Sequence, residues 1–331
     1  MTNFSIALGV GPREPMIRVG TIAKFMEENG FHAMWVQDNP LTTKDAYIAL
    51  TVAALSTERL VLAPGVTNTV IRHPSVIVNS VSSLDNLVPG RTILGIGGGG
   101  PSLMMPLGFK VGRAAEFKED LRNIMTLTNG GQVTPSKKAH YSINSALSPI
   151  PVYVAASGPI MLRLTGELAD GVVITGAAQK NIFAQKIDLA REGAAKSGRD
   201  ANKLKINLMI TVAIDANRDK ALNDVKPFAA GLAASGDKDI PAKYEHLIKK
   251  IREQHDYSTY LSSKGNESKL IPDNFADFTA IAGDLSYCLE RIHSLIELQP
   301  DEITFRLLSG GKMQRLESLA SLIGDLKTNF H

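Results

Sequence analysis

Cysteine is almost missing from this sequence: Cys288 is the one thiol in 331 residues. No internal disulfide can form, which fits a reducing compartment, and a cytoplasmic location is expected. Aromatic residues are sparse, at 6%, and no basic run is interleaved with them. With a net charge of +3 spread over mixed signs, no nucleic-acid partner is expected. No uninterrupted apolar stretch reaches the ~18 residues of a membrane span. The chain runs almost directly into a strand-like segment, Phe4–Leu8, without a basic n-region and a long apolar core, so neither a membrane nor a signal peptide is expected. The seven histidines lack metal-ligand spacing, and neither H-E-x-x-H nor C-x-x-C occurs, so no metal site is expected. The G-x-S-x-G elbow is missing too. Metal and nucleophilic catalysis therefore lack carriers, and chemistry done by a bound redox cofactor is the class that remains.

What is present is an ordinary globular balance, 44% hydrophobic and 21% charged. Short apolar runs alternate with helical periodicity. Eight runs read as strands, at 4–10, 33–38, 60–66, 92–97, 151–156, 171–175, 205–214 and 302–308. Helical sequence follows each of the first seven, near 15–29, 46–54, 74–88, 113–128, 159–168, 180–197 and 217–234. A helix near 285–298 precedes the eighth run and another, 311–327, follows it. Gly30 is placed to stop the first helix, and Pro74 is tolerated in the first turn of the third. Residues 129–149 and 235–280 break the rhythm as excursions, the first irregular and the second helical in part. Alternating βα units give a parallel sheet. Eight of them predict a (β/α)8 TIM barrel, which takes ~250 residues. One domain over 1–331 is expected, with the two excursions as insertions. An open doubly wound sheet is the alternative.

In such a barrel the functional site lies at the carboxyl ends of the strands. Here those ends are Gly9-Val10-Gly11, Gln37-Asp38-Asn39, Gly65-Val66-Thr67-Asn68, Gly97-Gly98-Gly99-Gly100, Ala155-Ala156-Ser157-Gly158, Thr175-Gly176-Ala177, Ile214-Asp215 and Arg306. A glycine there either makes a tight turn or lets backbone approach a ligand closely, and several at one end suit a flat ring or a phosphate. Gly95, Gly97 and Gly100 satisfy G-x-G-x-x-G. A dinucleotide fingerprint is nonetheless rejected, because Pro101, Pro106 and Gly108 intervene where a helix should open and no acidic residue follows a second strand at the required spacing. Ser157-Gly158-Pro159 joins a strand end to a helix start, where free amides and the helix dipole attract an anion. The same residues also read as an N-cap with proline in the first turn. Asp38 can accept a hydrogen bond from a ligand or cap the next helix. His73 reads as a packed or capping residue rather than a base, and Cys288 as a small buried apolar residue.

Several stretches together carry a resemblance: Asn29-Gly30-Phe31 with Trp35-Val36; Ala63 to Asn68 with Arg72-His73-Pro74; Gly90-Arg91 with Leu94 to Gly97; Arg113, Glu116, Leu121 and Arg122; Pro151 to Pro159; and Gly166 to Gly171. Through most of its length the chain resembles the bacterial-luciferase-like superfamily of flavin- and deazaflavin-dependent oxidoreductases. Within it, the chain is most similar to the coenzyme F420-dependent methylenetetrahydromethanopterin reductases. The resemblance implies a (β/α)8 barrel with the cofactor ring at the carboxyl mouth. It implies a non-proline cis peptide at Gly65-Val66, in a bulge that backs the ring, with Thr67 beside it and Asn68 bonded to the ring's polar edge. It also implies cofactor contacts from Asp38, from Gly97, Gly98 and Gly99, from the phosphate-side residues Ala155, Ala156, Ser157, Gly158 and Pro159, and from Thr175 and Gly176. Many F420-dependent relatives carry Asp-His after the second strand. Here the candidate catalytic pair is Asp38 and Asn39, and an asparagine cannot exchange protons near neutral pH. The implied activity is hydride transfer between C5 of coenzyme F420 and a small organic substrate, in a homodimer. The alternatives are a monooxygenase using reduced FMN and O2, and a non-catalytic flavin-binding barrel.

Overall fold

A computed structural model describes residues 2–110, 114–254, 266–307 and 312–328. Arg113, Leu308 and the middle of the second excursion, 255–265, lie outside the described residues. In chain order the elements are β1 (Asn3–Leu8), α1 (Arg18–Glu28), β2 (Ala33–Val36), α2 (Ala46–Ala54), β3 (Val61–Pro64), β4 (Thr67–Asn68), α3 (Pro74–Leu87), β5 (Leu94–Gly97), α4 (Pro101–Met104), α5 (Ala114–Thr128), β6 (Val133–Ser136), β7 (Ala139–Tyr141), β8 (Val152–Ala156), α6 (Pro159–Leu168), β9 (Gly171–Ile174), α7 (Lys180–Lys196), β10 (Lys205–Ile214), α8 (Arg218–Ser235), α9 (Glu245–Gln254), α10 (Asp273–Thr279), β11 (Ile281–Gly283), α11 (Leu285–Ile296), β12 (Glu302–Arg306) and α12 (Lys312–Thr328).

The eight apolar runs become a ring of parallel strands in the order β3-β2-β1-β12-β10-β9-β8-β5-β4. The third run does not stay whole. Its first part, β3, pairs with β2, and its last part, β4, pairs with β5 through Thr67↔Ile96 and Asn68↔Gly97. Backbone bonds from Leu62 N to Arg91 O (2.8 Å) and from Ile93 N to Leu62 O (3.1 Å) join the two ends of the sheet. The sheet therefore curls into a (β/α)8 barrel, and the open doubly wound alternative is excluded.

Three expectations are corrected. The first excursion is not irregular: β6 and β7 form an antiparallel hairpin, whose mostly exposed, polar residues give no apolar alternation to read. The short strand β11 went unforeseen. It pairs with the last residues of β10, Val212↔Ile281 to Ile214↔Gly283, where β10 runs on past the ring. Three residues are too few to show a period. Finally, a one-turn helix, α4, does open at Pro101 directly after Gly100, with proline at a first-turn position where its missing N–H costs nothing. The dinucleotide reading still fails, because that fold needs an open sheet.

Alternate residues on each strand face the barrel axis. Ala7, Ala33, Trp35, Ala63, Ile93, Val173 and Met209 form an inner cluster, while Ile6, Met34, Leu62, Leu208, Ile303 and Phe305 pack outward under the helices. Trp35 is 0% exposed, and the small alanines around it leave the volume that one indole needs. Its N–H donates to Glu302 Oε1 at 2.9 Å, and the Thr304 hydroxyl donates to Asn207 Oδ1 at 2.9 Å. Burial pushes the Glu302 carboxyl above its usual range, against the pull of Ser5, Trp35 and Thr304. The folded value thus exceeds the unfolded one, so this group's stabilisation is complete below the ordinary carboxyl range and lost as pH rises through the raised value. Glu302→Gln, which keeps an acceptor for Trp35, is expected to melt above the wild type at about pH 8.5 and to show no gain at about pH 4.5. Thermal melts at the two pH values check this.

Helix α6, which begins at the mouth, is held by close backbone contact with α7. A Cβ at Gly166 would lie 1.9 Å from Ala190 O, and one at Gly193 would lie 2.0 Å from Arg163 O. Among the described residues, no helix is long and apolar enough to cross a membrane, and no group of three or more His, Cys, Asp or Glu side chains is arranged to hold a metal ion.

Candidate functional site

The carboxyl ends of β2 and β4 meet at one corner of the mouth. Asp38, buried just after β2, accepts from the Thr67 hydroxyl at 2.8 Å and from Arg72 Nε at 2.9 Å on one oxygen, and from Arg72 Nη2 at 3.2 Å on the other. The same guanidinium donates to Asp45 at 2.9 Å. Asp45 also caps α2, accepting from the backbone of Tyr47 and Ile48. Burial raises the Asp45 carboxyl, but those amides and Arg72 outweigh it and hold it below the usual range. Arg72 is held above its usual range first by the Asp38 bond. The sequence offered two roles for Asp38, ligand acceptor or cap; the structure spends both of its oxygens on Arg72 and Thr67, and the capping falls to Asp45. Asn39 Oδ1 accepts from Leu41 N at 3.0 Å, closing a local turn. His73 caps α3 through Nδ1, which accepts from Ser75 N at 3.2 Å, the capping role expected of it. Tyr47 lies under this corner with a buried hydroxyl that has no hydrogen-bond partner among the described residues, and burial pushes its phenol up.

Between β3 and β4 the Gly65-Val66 peptide bond is cis. Gly65 is a glycine for packing as well: a Cβ there would lie 2.7 Å from Trp35 Cβ. Asn68 Oδ1 accepts from Val70 N (3.1 Å) and Ile71 N (3.0 Å), which fixes the carboxamide and leaves its Nδ2 without a partner among the described residues. Gly97 faces Val66, whose Cγ2 is 3.2 Å from where a Cβ would sit, while Gly98 opens onto space bounded by Met161, whose Cε lies 4.0 Å away. Gly99 takes a φ of +77°, a left-handed turn into α4.

Across the mouth, β8 ends at Ala156 and α6 begins at Pro159. Gly158 is the N-cap residue and no side chain caps the helix. A Cβ on Gly158 would meet nothing within 4 Å, and Ser157 is exposed. The first amides of α6 are therefore bare and accessible, which is what an anionic group needs. Beside it, β9 leads into Thr175 and Gly176, and the Thr175 carbonyl accepts from Lys186 Nζ at 2.9 Å. Sequence reasoning named Thr175 and Gly176 but missed Lys186, Tyr47 and the role of Arg72. The available signal was Lys186 itself: it interrupts the apolar stripe Ile182, Phe183, Ile187, Ala190 of α7, and a buried lysine almost always has charged partners.

Among the described residues, this closed parallel barrel gathers backbone amides, glycines and the Asn68 Nδ2 at the carboxyl ends of its strands, and no metal-holding cluster of side chains. The profile of the luciferase-like monooxygenase family matches residues 2–302, and the chain belongs to that family, which makes it an oxidoreductase-type enzyme. It is 27% identical over 320 residues to a 5,10-methylenetetrahydromethanopterin reductase of Methanopyrus kandleri, covering 90% of each chain. It is 30% identical over 259 residues to an F420-dependent glucose-6-phosphate dehydrogenase of Beutenbergia cavernae, covering 72% of this chain and 77% of that one. Among solved structures it is similar to the coenzyme F420-dependent tetrahydromethanopterin reductase of Methanopyrus kandleri, with a TM-score of 0.77, 23% identity, and coverage of 96% and 98% of the two chains.

Proposed function

We propose that this chain is an oxidoreductase that uses coenzyme F420 to move a hydride to or from a small organic substrate. The observation that carries it is that relatives with different named substrates, aligned over 90% and 72% of this chain, are named as reductase and as F420-dependent dehydrogenase. The mouth fits such a group: the amides at the start of α6 are bare, and Gly158 leaves open space beside them. Ser157, Gly158 and Pro159, with Ala155 and Ala156 before them, would take the phosphate side. Gly65, Val66, Gly97, Gly98 and Gly99 would line the ring, and Thr175 and Gly176 would close the far wall. The Asn68 Nδ2 would donate to the ring's polar edge. When bound, the coenzyme supplies the hydride from C5 of its deazaflavin.

Asp38 and Asn39 then act by position rather than by proton exchange. Asp38, clamped by Arg72, holds Thr67 and so the Gly65–Asn68 segment; Asn39 holds its own turn. A reaction that transfers hydride to an already electrophilic carbon needs little more. Gly158→Glu puts a carboxylate at the helix start in space that is free. It is expected to lower coenzyme affinity on the order of tenfold while leaving the melting temperature in place.

The family profile favours one second reading, an FMN-dependent monooxygenase. Titrating the apo-protein with F420 and with FMN, followed by absorbance and fluorescence, separates the two. Tighter binding of F420 and turnover that ignores oxygen are expected; tighter binding of FMN with oxygen-dependent product would replace the first reading by the second. We also propose a homodimer paired through α2 and α3, which pack together and expose Ile48, Leu55, Val76 and Leu87 at 57%, 76%, 48% and 52%. Light scattering is expected to give twice the 35.6 kDa chain mass, and Leu55→Glu to give the monomer.

A further inference from the structure

We propose that Lys186 is a positioning residue: it sets the Thr175–Gly176 wall of the mouth and ties that wall to the segment 236–240 that follows α8. The coenzyme part of this proposal rests on the reading above. Lys186 projects from α7 and its side chain is 3% exposed. Its ammonium donates to Thr175 O at 2.9 Å and pairs with Asp239 at 2.7 Å and with Asp237 at 3.7 Å. Three separate parts of the chain thus meet on one nitrogen: the end of β9, the middle of α7 and the turn after α8. Gly176 is shaped around it, with φ at +141° and a position where a Cβ would come within 2.6 Å of Nζ.

The rest of the β9–α7 loop is anchored elsewhere. Ala178 N donates to Thr279 O at 3.2 Å, Gln179 Nε2 donates to Phe278 O at 2.7 Å, and Arg291 Nη2 donates to Ala178 O at 2.8 Å. Thr175 is held, among the described residues, by a long bond from its N to Ala156 O at 3.4 Å and by Lys186. Removing the ammonium therefore loosens the residues that face the mouth while leaving the back of the loop in place. On the other side, Asp237 Oδ1 accepts from Asp239 N at 3.0 Å, which folds the turn so that both carboxylates face the same cation. Asp237 Oδ2 is buried and has no hydrogen-bond partner among the described residues, so the lysine is its one compensating charge there. Helix α4, reached from Gly97–Gly100, packs on α8. Helix α8 thus touches the helix that follows the glycine-lined strand end, while the turn after it meets the β9 side through Lys186.

Two variants separate positioning from mere charge balance. Lys186→Met removes the cation and strands the buried Asp237 carboxylate, with the half-buried Asp239 beside it, so it lowers both stability and affinity. Lys186→Met with Asp237→Asn and Asp239→Asn removes the stranded charge too. The triple variant is expected to recover most of the lost melting temperature but to keep a dissociation constant for F420 raised on the order of tenfold, because Thr175 still lacks its donor. Amide hydrogen exchange on the unliganded proteins is the second readout: residues 175–177 and 236–240 are expected to exchange faster together in both variants. Recovery of affinity alongside stability in the triple variant, or faster exchange in one segment with the other unchanged, would overturn the proposal. If the wild type itself fails to bind F420, the coenzyme reading falls and the coenzyme part of this proposal with it. The exchange data still decide whether Lys186 couples the two segments.

Discussion

Arg72→Met is expected to destabilise the protein by about 3 kcal/mol and to abolish measurable coenzyme binding. The side chain bridges two carboxylates at once, Asp38 and Asp45, and is only 23% exposed. Methionine keeps much of its length but none of its donors. Asp38, whose side chain is 3% exposed, would then keep a single hydroxyl donor, Thr67. A buried carboxylate so deprived costs far more than its lost bonds contribute, because its desolvation is no longer offset. The damage reaches the site through Thr67, which is both the Asp38 donor and the first residue of β4. Adding Asp38→Asn to Arg72→Met is expected to recover about half the loss in stability, since an amide tolerates burial better than an unpaired charge. Urea melts of the two single variants and the double variant give the cycle. A loss below ~1 kcal/mol for Arg72→Met would mean solvent screens the pair and that the clamp matters little.

Gly166→Ala is expected to cost about 2–3 kcal/mol through overpacking, although alanine is the better helix former by roughly 1 kcal/mol. The added methyl would need to sit 1.9 Å from the Ala190 carbonyl, where backbone cannot yield as a side-chain tip can. The two helices must part, and α6 carries the bare amides at its start. Coenzyme affinity is expected to fall along with stability. Gly193→Ala strikes the same crossing from the other helix, 2.0 Å from Arg163 O. The double variant is expected to cost less than the sum, because separation of the helices relieves both clashes. A melting temperature unchanged in Gly166→Ala would refute the crossing.

Much of the architecture could be read from the residues because barrel strands advertise themselves. Val152 to Ala156 and Gly171 to Ile174 are short, apolar and turn-bounded, and eight such runs separated by helical periods leave few folds. What escaped were elements whose order comes from partners rather than pattern. The hairpin β6–β7 is polar and exposed, and β11 exists because β10 extends far enough to offer it an edge. The site was readable as backbone and opaque as side chains. Gly65 and Gly158 stood out as glycines, but Gly65 answers to Trp35 as much as to a ligand. The partners of Asp38 and Lys186 come from 34 and about 50 residues away in the chain, a separation that no local spacing encodes.

Trp35 has one more effect. Packed across the axis and bonded to Glu302 two strands round the ring, it corks the barrel from within. On the proposed reading, coenzyme and acceptor would share one doorway at the carboxyl ends of the strands. Their sequence of arrival and departure, rather than either affinity alone, would then help to set turnover.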